Sequence, residues 1–166
     1  IVSIRLEEIQ KQLGTQHVLR GVDLDIFSGE TMVLIGASGG GKSVILKHIT
    51  GLMRPDSGRV IIGKQDISQL NEKGLALIRQ KVGVLFQNGA LFDSMRVGQN
   101  VAFPLRERGE KNITTLTEKV TEALRLVGLE EHINKMPNAL SGGMRKRVAL
   151  ARAMIAKPES ILYDEP

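Results

Sequence analysis

The sequence predicts an α/β fold with a parallel-sheet core, an N-terminal antiparallel β subdomain and a helical insertion. Short apolar runs without helical spacing predict buried strands at residues 30–35, 82–86 and 160–163. Amphipathic helical patterns separate these runs, as is typical of parallel sheets. Strand signals are weak between residues 88 and 140, which places the helical insertion there.

The N-terminal strands are predicted from alternation. Apolar residues alternate with polar ones over residues 2–8 and 18–26, and a turn lies at residues 14–17 between them. A short third strand is predicted at residues 59–62. These half-buried strands form the predicted N-terminal antiparallel β subdomain.

The helices are predicted from apolar residues that recur on one face. The helix of residues 97–105 is expected to end near Pro104, and the helix that begins at Ser141 is expected to end before Pro158. The other predicted helices follow the glycine-rich loop below or cover residues 70–81 and 115–127.

A glycine-rich loop, GASGGGKS at Gly36–Ser43, joins a predicted strand to a predicted helix. It fits the phosphate-binding pattern G-x-x-x-x-G-K-[ST]. Glycines let the backbone approach a ligand closely, and the N–H groups of such a loop and of the following helix can hold anionic oxygens. The loop predicts a nucleoside triphosphate and the core of a P-loop NTPase.

Each residue of the loop has an expected role at the phosphates. Lys42 is expected to reach the β- and γ-phosphates, and the Ser43 hydroxyl is a hard oxygen ligand for Mg²⁺. The residues expected to bind the nucleotide are Gly36, Ala37, Ser38, Gly39, Gly40, Gly41, Lys42, Ser43 and Val44.

Polar residues follow the other two predicted core strands. Gln87 follows one strand, and Asp164 and Glu165 follow the other. Ligands of open parallel sheets bind beyond the carboxyl ends of the strands. Asp164 is therefore expected to hold Mg²⁺ with Ser43. Glu165 is expected to polarise an attacking water, and Gln87 is expected to bind the metal or orient that water.

A second anion-binding helix N-terminus is predicted at Ser141, Gly142 and Gly143. One nucleotide does not need two such sites on one subunit. One explanation is that the second site serves a nucleotide held by another subunit. The alternative is an ordinary helix cap in which the glycines merely permit a turn.

Composition limits the classes of function. The 166 residues contain no cysteine, which excludes disulfides and cysteine-bound metal and favours the cytosol. The net charge of +5 could attract nucleic acid or an anionic membrane. Aromatic residues make up only 3%, however, so base-stacking platforms are not expected. A solvated basic surface is the simpler interpretation.

Taken together, the motifs resemble those of the ATP-binding subunits of ABC transporters. GASGGGKS, Gln87 after a strand, LSGGM running into RKRVALARAM, and ILYDEP occur in that order across the chain. The resemblance implies ATP and Mg²⁺ as ligands, ATP hydrolysis, and a homodimer that sandwiches ATP. Ser141, Gly142 and Gly143 are then expected to contact the γ-phosphate bound by the partner subunit. The stretch just after Gln87 is expected to face a membrane permease.

A narrower resemblance lies in FQNGALFDSMRVGQNVAFPL at residues 86–105. This segment, with Met144 in LSGGM, is similar to ATPases of phospholipid-trafficking (Mla-type) systems, which work with a lipid permease and an MCE-domain protein. It implies a peripheral protein at the cytoplasmic face of the inner membrane, with no nucleic-acid partner. Three alternatives stay open: another ABC importer or exporter subgroup, such as one for amino acids or lipoproteins, a soluble ABC-type ATPase acting on nucleic acid, and a truncated cassette without activity.

The sequence departs from the family in two places. Leu13 lies near the position where an aromatic residue often stacks on adenine, so aliphatic packing is expected to replace base stacking there. The chain stops at Pro166, before the family's D-loop and switch histidine, and none of His17, His48 and His132 is placed to be that histidine. We expect a fragment, truncated just after the Walker B motif, that binds nucleotide better than it hydrolyses it.

The expected domain organisation is one ATP-binding domain over residues 1–166, incomplete at its C-terminus. Within it we expect a β/RecA-like core with the phosphate loop over residues 1–87 and a helical subdomain over 88–140. The signature helix and the Walker B strand follow over 141–166.

Overall fold

The computed structural model of the chain describes residues 1–86 and 89–164, except for the side chain of Val2. The chain divides into two compact units, Ile1–Arg79 and Gln80–Pro166. The finer division at residues 87 and 140 stays a prediction.

The first unit contains a four-stranded antiparallel sheet, which confirms the predicted N-terminal β subdomain. Its strand order is β2-β1-β3-β4, and each pair of neighbours is antiparallel. The strands are β1 Val2–Leu13, β2 Gln16–Phe27, β3 Ser57–Ile62 and β4 Gln65–Asp66. Alternation places Ile4 and Leu6 in the core with Val60 and Ile62, as the period of two requires.

Two helices complete the first unit. They are α1 Lys42–Ile49 and α2 Glu72–Arg79. The apolar face of α1 buries Ile45 and Ile49, and that of α2 buries Leu75 and Ile78. Each buried pair lies three or four residues apart, which confirms the predicted helical periodicity.

The predicted buried strand at residues 30–35 is wrong. No strand is formed there, and Met32, Val33 and Ile35 are 38%, 69% and 93% exposed. Apolar residues form a buried parallel strand only where neighbouring strands pair with its edges and helices cover its faces. Within the described residues, neither sheet includes this segment.

The second unit contains the parallel strands β5 Val82–Leu85 and β6 Ser160–Tyr163. Val82 is paired with Ser160 and Leu85 with Tyr163, so the carboxyl ends of the two strands are level. The described residues of this unit form the α-helices α3 Val97–Glu107, α4 Ile113–Leu126 and α5 Gly142–Met154, with short 3-10 helices at Glu130–His132 and Pro137–Ala139.

One hydrophobic core joins the three helices of the second unit. Val101, Leu124 and Val148 are fully buried in it, one from each helix. Leu105 is also buried there, and α3 continues beyond Pro104 to Glu107, so the expectation that the helix ends near this proline is wrong. A proline inside a helix removes its own N–H bond and crowds the carbonyl four residues earlier, but the burial of Leu105 favours continuing the helix.

In the described parts of the chain, no helix has the length and apolarity that a membrane crossing requires.

Candidate functional site

The phosphate loop is built from tight turns. The Gly40 N–H donates to the Ala37 carbonyl at 3.0 Å, which closes the turn before α1. Gly39 and Gly41 have φ angles of 78° and 88°, in the left-handed region that side chains disfavour. The backbone of this loop therefore depends on glycine.

Gly40 and Gly41 also lack space for a side chain. A Cβ at Gly40 would lie 2.9 Å from the Ala37 carbonyl oxygen. A Cβ at Gly41 would lie 2.8 Å from Leu19 Cδ2 and 3.2 Å from Val18 Cγ1. The start of β2 thus supports the end of the loop.

Lys42 is held at the loop by its own backbone. Its Nζ donates to the carbonyl oxygens of Gly36 and Ala37, each at 2.8 Å. An ammonium group has three N–H donors, so one donor remains for a ligand oxygen. The expected role of Lys42 at the phosphates is consistent with this placement.

The N-terminus of α1 suits an anion. Gly41 is the N-cap and contributes no side-chain cap, and the first turn carries no acidic residue. The positive end of the helix dipole is therefore not offset by a carboxylate of the helix. Lys42, Ser43 and Val44 form this first turn, so the backbone and the Ser43 hydroxyl fit a phosphate with its Mg²⁺.

The predicted adenine position carries no aromatic ring. Leu13 is 41% exposed and is paired with Gln16 at the hairpin end of β1. Residues 1–79 contain one Phe and no Tyr or Trp, and that Phe27 is paired with Val2 at the opposite end of the hairpin. No Phe, Tyr or Trp of this unit therefore lies at this end of the hairpin, where His17 is paired with Gln12.

The carboxyl ends of β5 and β6 meet at Asp164. The Asp164 N–H donates to the Leu85 carbonyl at 3.0 Å, directly after the last strand pair. Gln87 and Glu165 lie outside the described residues. The pairing of β5 with β6 confirms that the two strands are neighbours, as the predicted site requires.

The second helix N-terminus is capped by Ser141. Its Oγ accepts from the Met144 N–H at 3.2 Å. Gly142 and Gly143 open α5 and do not have left-handed φ angles. A Cβ at Gly143 would meet nothing within 4 Å, and one at Gly142 would meet only Arg145 Nη2 at 4.0 Å. The fold of this chain therefore does not require glycine at either position.

The predicted site residues are divided between the two units. The phosphate loop belongs to Ile1–Arg79, whereas Asp164 and the capped start of α5 belong to Gln80–Pro166. That the site residues of both units bind the same nucleotide stays a prediction. Within residues 1–86 and 89–164, no cluster of three or more His, Cys, Asp or Glu side chains could hold a metal ion on its own.

The sequence patterns did not predict that His48 of α1 is buried. It is 1% exposed, and Nδ1 lies 2.6 Å from the Val44 carbonyl oxygen, so Nδ1 carries the proton. Nε2 is buried without a hydrogen-bond partner. Burial lowers the pKa of the His48 imidazole, which favours its neutral form.

The sequence profile of the ABC transporter family matches residues 19–166. The chain belongs to the ABC transporter family. Members of this family bind ATP with Mg²⁺ and hydrolyse it, and the fold described above is the fold of their ATP-binding domain.

Curated relatives cover nearly all of this chain. It is 47% identical to the probable ribonucleotide transport ATP-binding protein mkl of Mycobacterium leprae, over 99% of the chain and 48% of that protein. It is 43% identical to TRIGALACTOSYLDIACYLGLYCEROL 3, chloroplastic, of Arabidopsis thaliana, over 99% of the chain and 50% of that protein. It is 39% identical to the methionine import ATP-binding protein MetN of Mesorhizobium japonicum, over 98% of the chain and 44% of that protein. The chain spans about half the length of these relatives.

Solved structures share the fold. The dimeric ATP-binding cassette MJ0796 in a post-hydrolysis state with ADP and Pi matches with a TM-score of 0.91 and 34% identity, over 98% of this chain and 74% of that one. CbiO1 from Clostridium perfringens, part of the ABC transporter complex cbiONQ, matches with a TM-score of 0.87 and 30% identity, over 99% and 66%.

Proposed function

We propose that this chain is part of an ATP-hydrolysing subunit that powers lipid transport, most specifically phospholipid transport, through a membrane permease. The observation that carries the ATPase part is the geometry of the phosphate loop. Lys42 lies at the loop, the space beside Gly36 and Gly39 is open, and the N-terminus of α1 follows without a side-chain cap. These features bind phosphate oxygens by charge and by N–H groups.

The binding step follows from these residues. The loop amides and Lys42 hold the β- and γ-phosphates and offset their negative charge. Bound Mg²⁺ would supply further neutralisation of the phosphate charge, with Ser43 and Asp164 as protein oxygen ligands and Gln87 as a third. Glu165 is proposed to orient and polarise the attacking water.

The capped start of α5 is proposed to complete the site of a second subunit. Ser141, Gly142 and Gly143 present a hydroxyl and helix-terminal N–H groups. The open space at Gly143 supports this role, because a glycine that the fold does not need is explained by close approach of an external group. Hydrolysis by a homodimer that sandwiches ATP follows from this arrangement. The related cassette MJ0796 is dimeric with ADP and Pi bound.

The lipid part of the proposal is supported by the segment NGALFDSM and by one relative. The Arabidopsis protein is named for trigalactosyldiacylglycerol, which is a lipid. Proposed partners are therefore a lipid permease and an MCE-domain lipid-binding protein. The proposed location is peripheral, at the cytoplasmic face of the inner membrane.

The second candidate is an ABC importer of small polar solutes. The MetN relative is named for methionine import and mkl for ribonucleotide transport. Both candidates use the same ATP site and differ only in what the permease carries.

An ATPase assay on the full-length protein, purified with its permease and reconstituted into vesicles, separates the candidates. Vesicles of phosphatidylethanolamine and phosphatidylglycerol are compared with detergent alone, and methionine or a ribonucleotide is added to each. Stimulation by the phospholipids alone supports lipid transport. Stimulation by a polar solute, with none by phospholipid, contradicts it.

A separate measurement addresses the soluble alternative. Membrane co-fractionation of the full-length protein supports a transporter subunit. Salt-sensitive DNA binding without membrane association would favour action on nucleic acid instead.

A further inference from the structure

Residues 89–96, here called the clamped segment, follow the strand β5 and Gln87 in the sequence. The clamped segment begins with two residues in the left-handed region, Gly89 at φ 78° and Ala90 at φ 41°. Alanine rarely adopts this conformation, so the surrounding structure must hold it there.

Arg152 of α5 holds the start of the clamped segment. Its Nη2 donates to the Gly89 carbonyl and its Nη1 to the Ala90 carbonyl, both at 2.9 Å. The guanidinium also lies over the Phe92 ring, 5.8 Å from its centroid. One planar group thus contacts both residues with left-handed φ angles and the first aromatic residue after them.

Asn100 of α3 holds the rest of the clamped segment. This side chain is fully buried. Its Oδ1 accepts from the Phe92 N–H at 2.8 Å, and its Nδ2 donates to the carbonyls of Phe92 at 3.1 Å, Met95 at 2.9 Å and Arg96 at 3.2 Å. Such a satisfied buried amide specifies one backbone conformation.

The clamped segment packs directly against α5. A Cβ at Gly89 would lie 3.1 Å from the Arg145 carbonyl oxygen and 3.3 Å from Ala149 Cβ. Phe92 packs on Phe103 with ring centroids 4.8 Å apart. The clamped segment is therefore attached to two helices, and one of them, α5, begins at Ser141.

We propose that Arg152 is a positioning residue that links α5 to the clamped segment. Through its contacts with the Gly89 and Ala90 carbonyls, it ties the backbone that follows Gln87 in the sequence to the helix that Ser141 caps. This inference rests on the proposed ATPase function, because the position of Gln87 matters only if that residue takes part in hydrolysis.

The chemistry favours arginine over lysine at this position. A guanidinium presents parallel N–H donors in a plane, so it can bond two neighbouring carbonyls at once and stack on a ring. An ammonium is a point charge on a flexible chain. Arg152→Lys is therefore expected to recover only part of what Arg152→Met loses.

The test combines hydrogen exchange with steady-state kinetics on the full-length protein. In Arg152→Met, the amides of Phe92 and Met95 are expected to exchange about tenfold faster, within the roughly 5- to 150-fold range found for coupling between two sites. The kcat for ATP hydrolysis is expected to fall by about tenfold while the KM for ATP stays within about twofold, because the phosphate loop is unchanged. In Arg152→Lys, the exchange rates and the kcat are expected to lie between those of Arg152→Met and those of the unsubstituted protein.

Arg147→Met is the matched control. Arg147 is exposed on the same helix and donates to the Val127 carbonyl, away from the clamped segment. In Arg147→Met, the exchange rates of the clamped segment and the kcat are expected to equal those of the unsubstituted protein. If Arg152→Met is too unstable, Phe92→Leu tests the same clamp at an exposed position, where faster exchange at Met95 is expected.

The outcomes distinguish a failure of the role proposed for Arg152 from a failure of the proposed ATPase function. Unchanged exchange in the clamped segment overturns the clamp, whatever the kinetics. Faster exchange with unchanged kcat shows a merely structural contact and overturns the positioning role. Absence of ATP hydrolysis by the unsubstituted full-length protein overturns the proposed function, and with it the positioning role, while the exchange data still decide whether the clamp exists.

Discussion

The Asp164 N–H donates to the Leu85 carbonyl at 3.0 Å, immediately beyond the last pairing of β5 with β6. This bond keeps the carboxyl ends of the two parallel strands level. The residues that follow each strand therefore start from the same edge of the sheet, where ligands of α/β proteins bind. The proposed roles of Gln87, Asp164 and Glu165 depend on this edge.

Replacing Glu165 tests the proposed hydrolysis step. In the full-length protein, Glu165→Gln is expected to slow ATP hydrolysis by about 100-fold or more, because the amide is a poor base for the attacking water. ATP-driven dimerisation, measured by size-exclusion chromatography, is expected to remain. Glu159→Gln is the control, since that residue is exposed and forms an ion pair with Lys81. Turnover unchanged in Glu165→Gln would contradict the role of Glu165.

Removing the lysine ammonium tests the phosphate loop. Lys42→Met is expected to weaken binding of a fluorescent ATP analogue by about tenfold or more, since a charge-assisted hydrogen bond contributes about 1.5–3 kcal/mol. Lys47→Met is the control, because Lys47 is exposed in the last turn of the same helix. Equal affinities for the two variants would show that Lys42 does not contact the phosphates.

A charge at Gly143 separates folding from assembly. Gly143→Asp places a carboxylate in the first turn of α5, where the helix dipole favours it by about 0.3–1 kcal/mol and space is open. Thermal unfolding is therefore expected to change little or to shift upward. ATP-dependent dimerisation is expected to be lost, because the carboxylate repels the γ-phosphate of the partner's nucleotide. Gly143→Ala is the uncharged comparison and is expected to weaken dimerisation less than Gly143→Asp, because a methyl group crowds the contact without repelling the phosphate. Dimerisation retained in Gly143→Asp argues against the contact between subunits.

The buried His48 predicts a pH dependence of stability. Burial lowers the pKa of folded His48 below its ordinary value of 6.5, with Lys11 and Asp56 as the neighbouring charges. Below that pH the unfolded chain binds the proton more readily than the folded chain, so stability falls as the pH drops. Asp56 contributes separately, because its pKa is lowered below 3.8, mainly by the Lys11 hydrogen bond, so the stability it adds is lost only at more acidic pH.

The measurement is thermal unfolding of the full-length protein at about pH 7.5 and about pH 5.5, the range of histidine titration. His48→Leu is expected to reduce the loss of unfolding temperature between these values. His17→Gln, at an exposed position of β2, is expected to leave it unchanged. An equal pH dependence in the unsubstituted protein and His48→Leu would refute the assignment to His48.

Local patterns predicted most of the secondary structure correctly. The alternation in residues 2–8 and 18–26 marks the β1–β2 hairpin, although each strand is longer than predicted. The strand at residues 160–163 has the predicted bounds. Ser141 caps its helix as its residue type predicts. Each of these features depends on residues that are close in sequence.

Burial and long-range contacts could not be predicted in the same way. Residues 30–35 have the composition of a buried strand and are exposed, because no described strand pairs with them. The interior position of Pro104 in α3 depends on the core that Leu105 enters. The exposure of residues 30–35 and the continuation of α3 past Pro104 depend on residues distant in sequence, which a local pattern does not contain.

The sequence by itself determined that this protein has a phosphate loop, a capped signature helix and an acidic strand end, because each motif is written in adjacent residues whose chemistry acts locally. Only the tertiary structure decided what holds the clamped segment. Arg152 lies 63 positions from Gly89 and 62 from Ala90, and no pattern in either stretch encodes the other. Packing of α5 against the clamped segment brings the guanidinium to the Gly89 and Ala90 carbonyls, and that contact exists only in the folded chain.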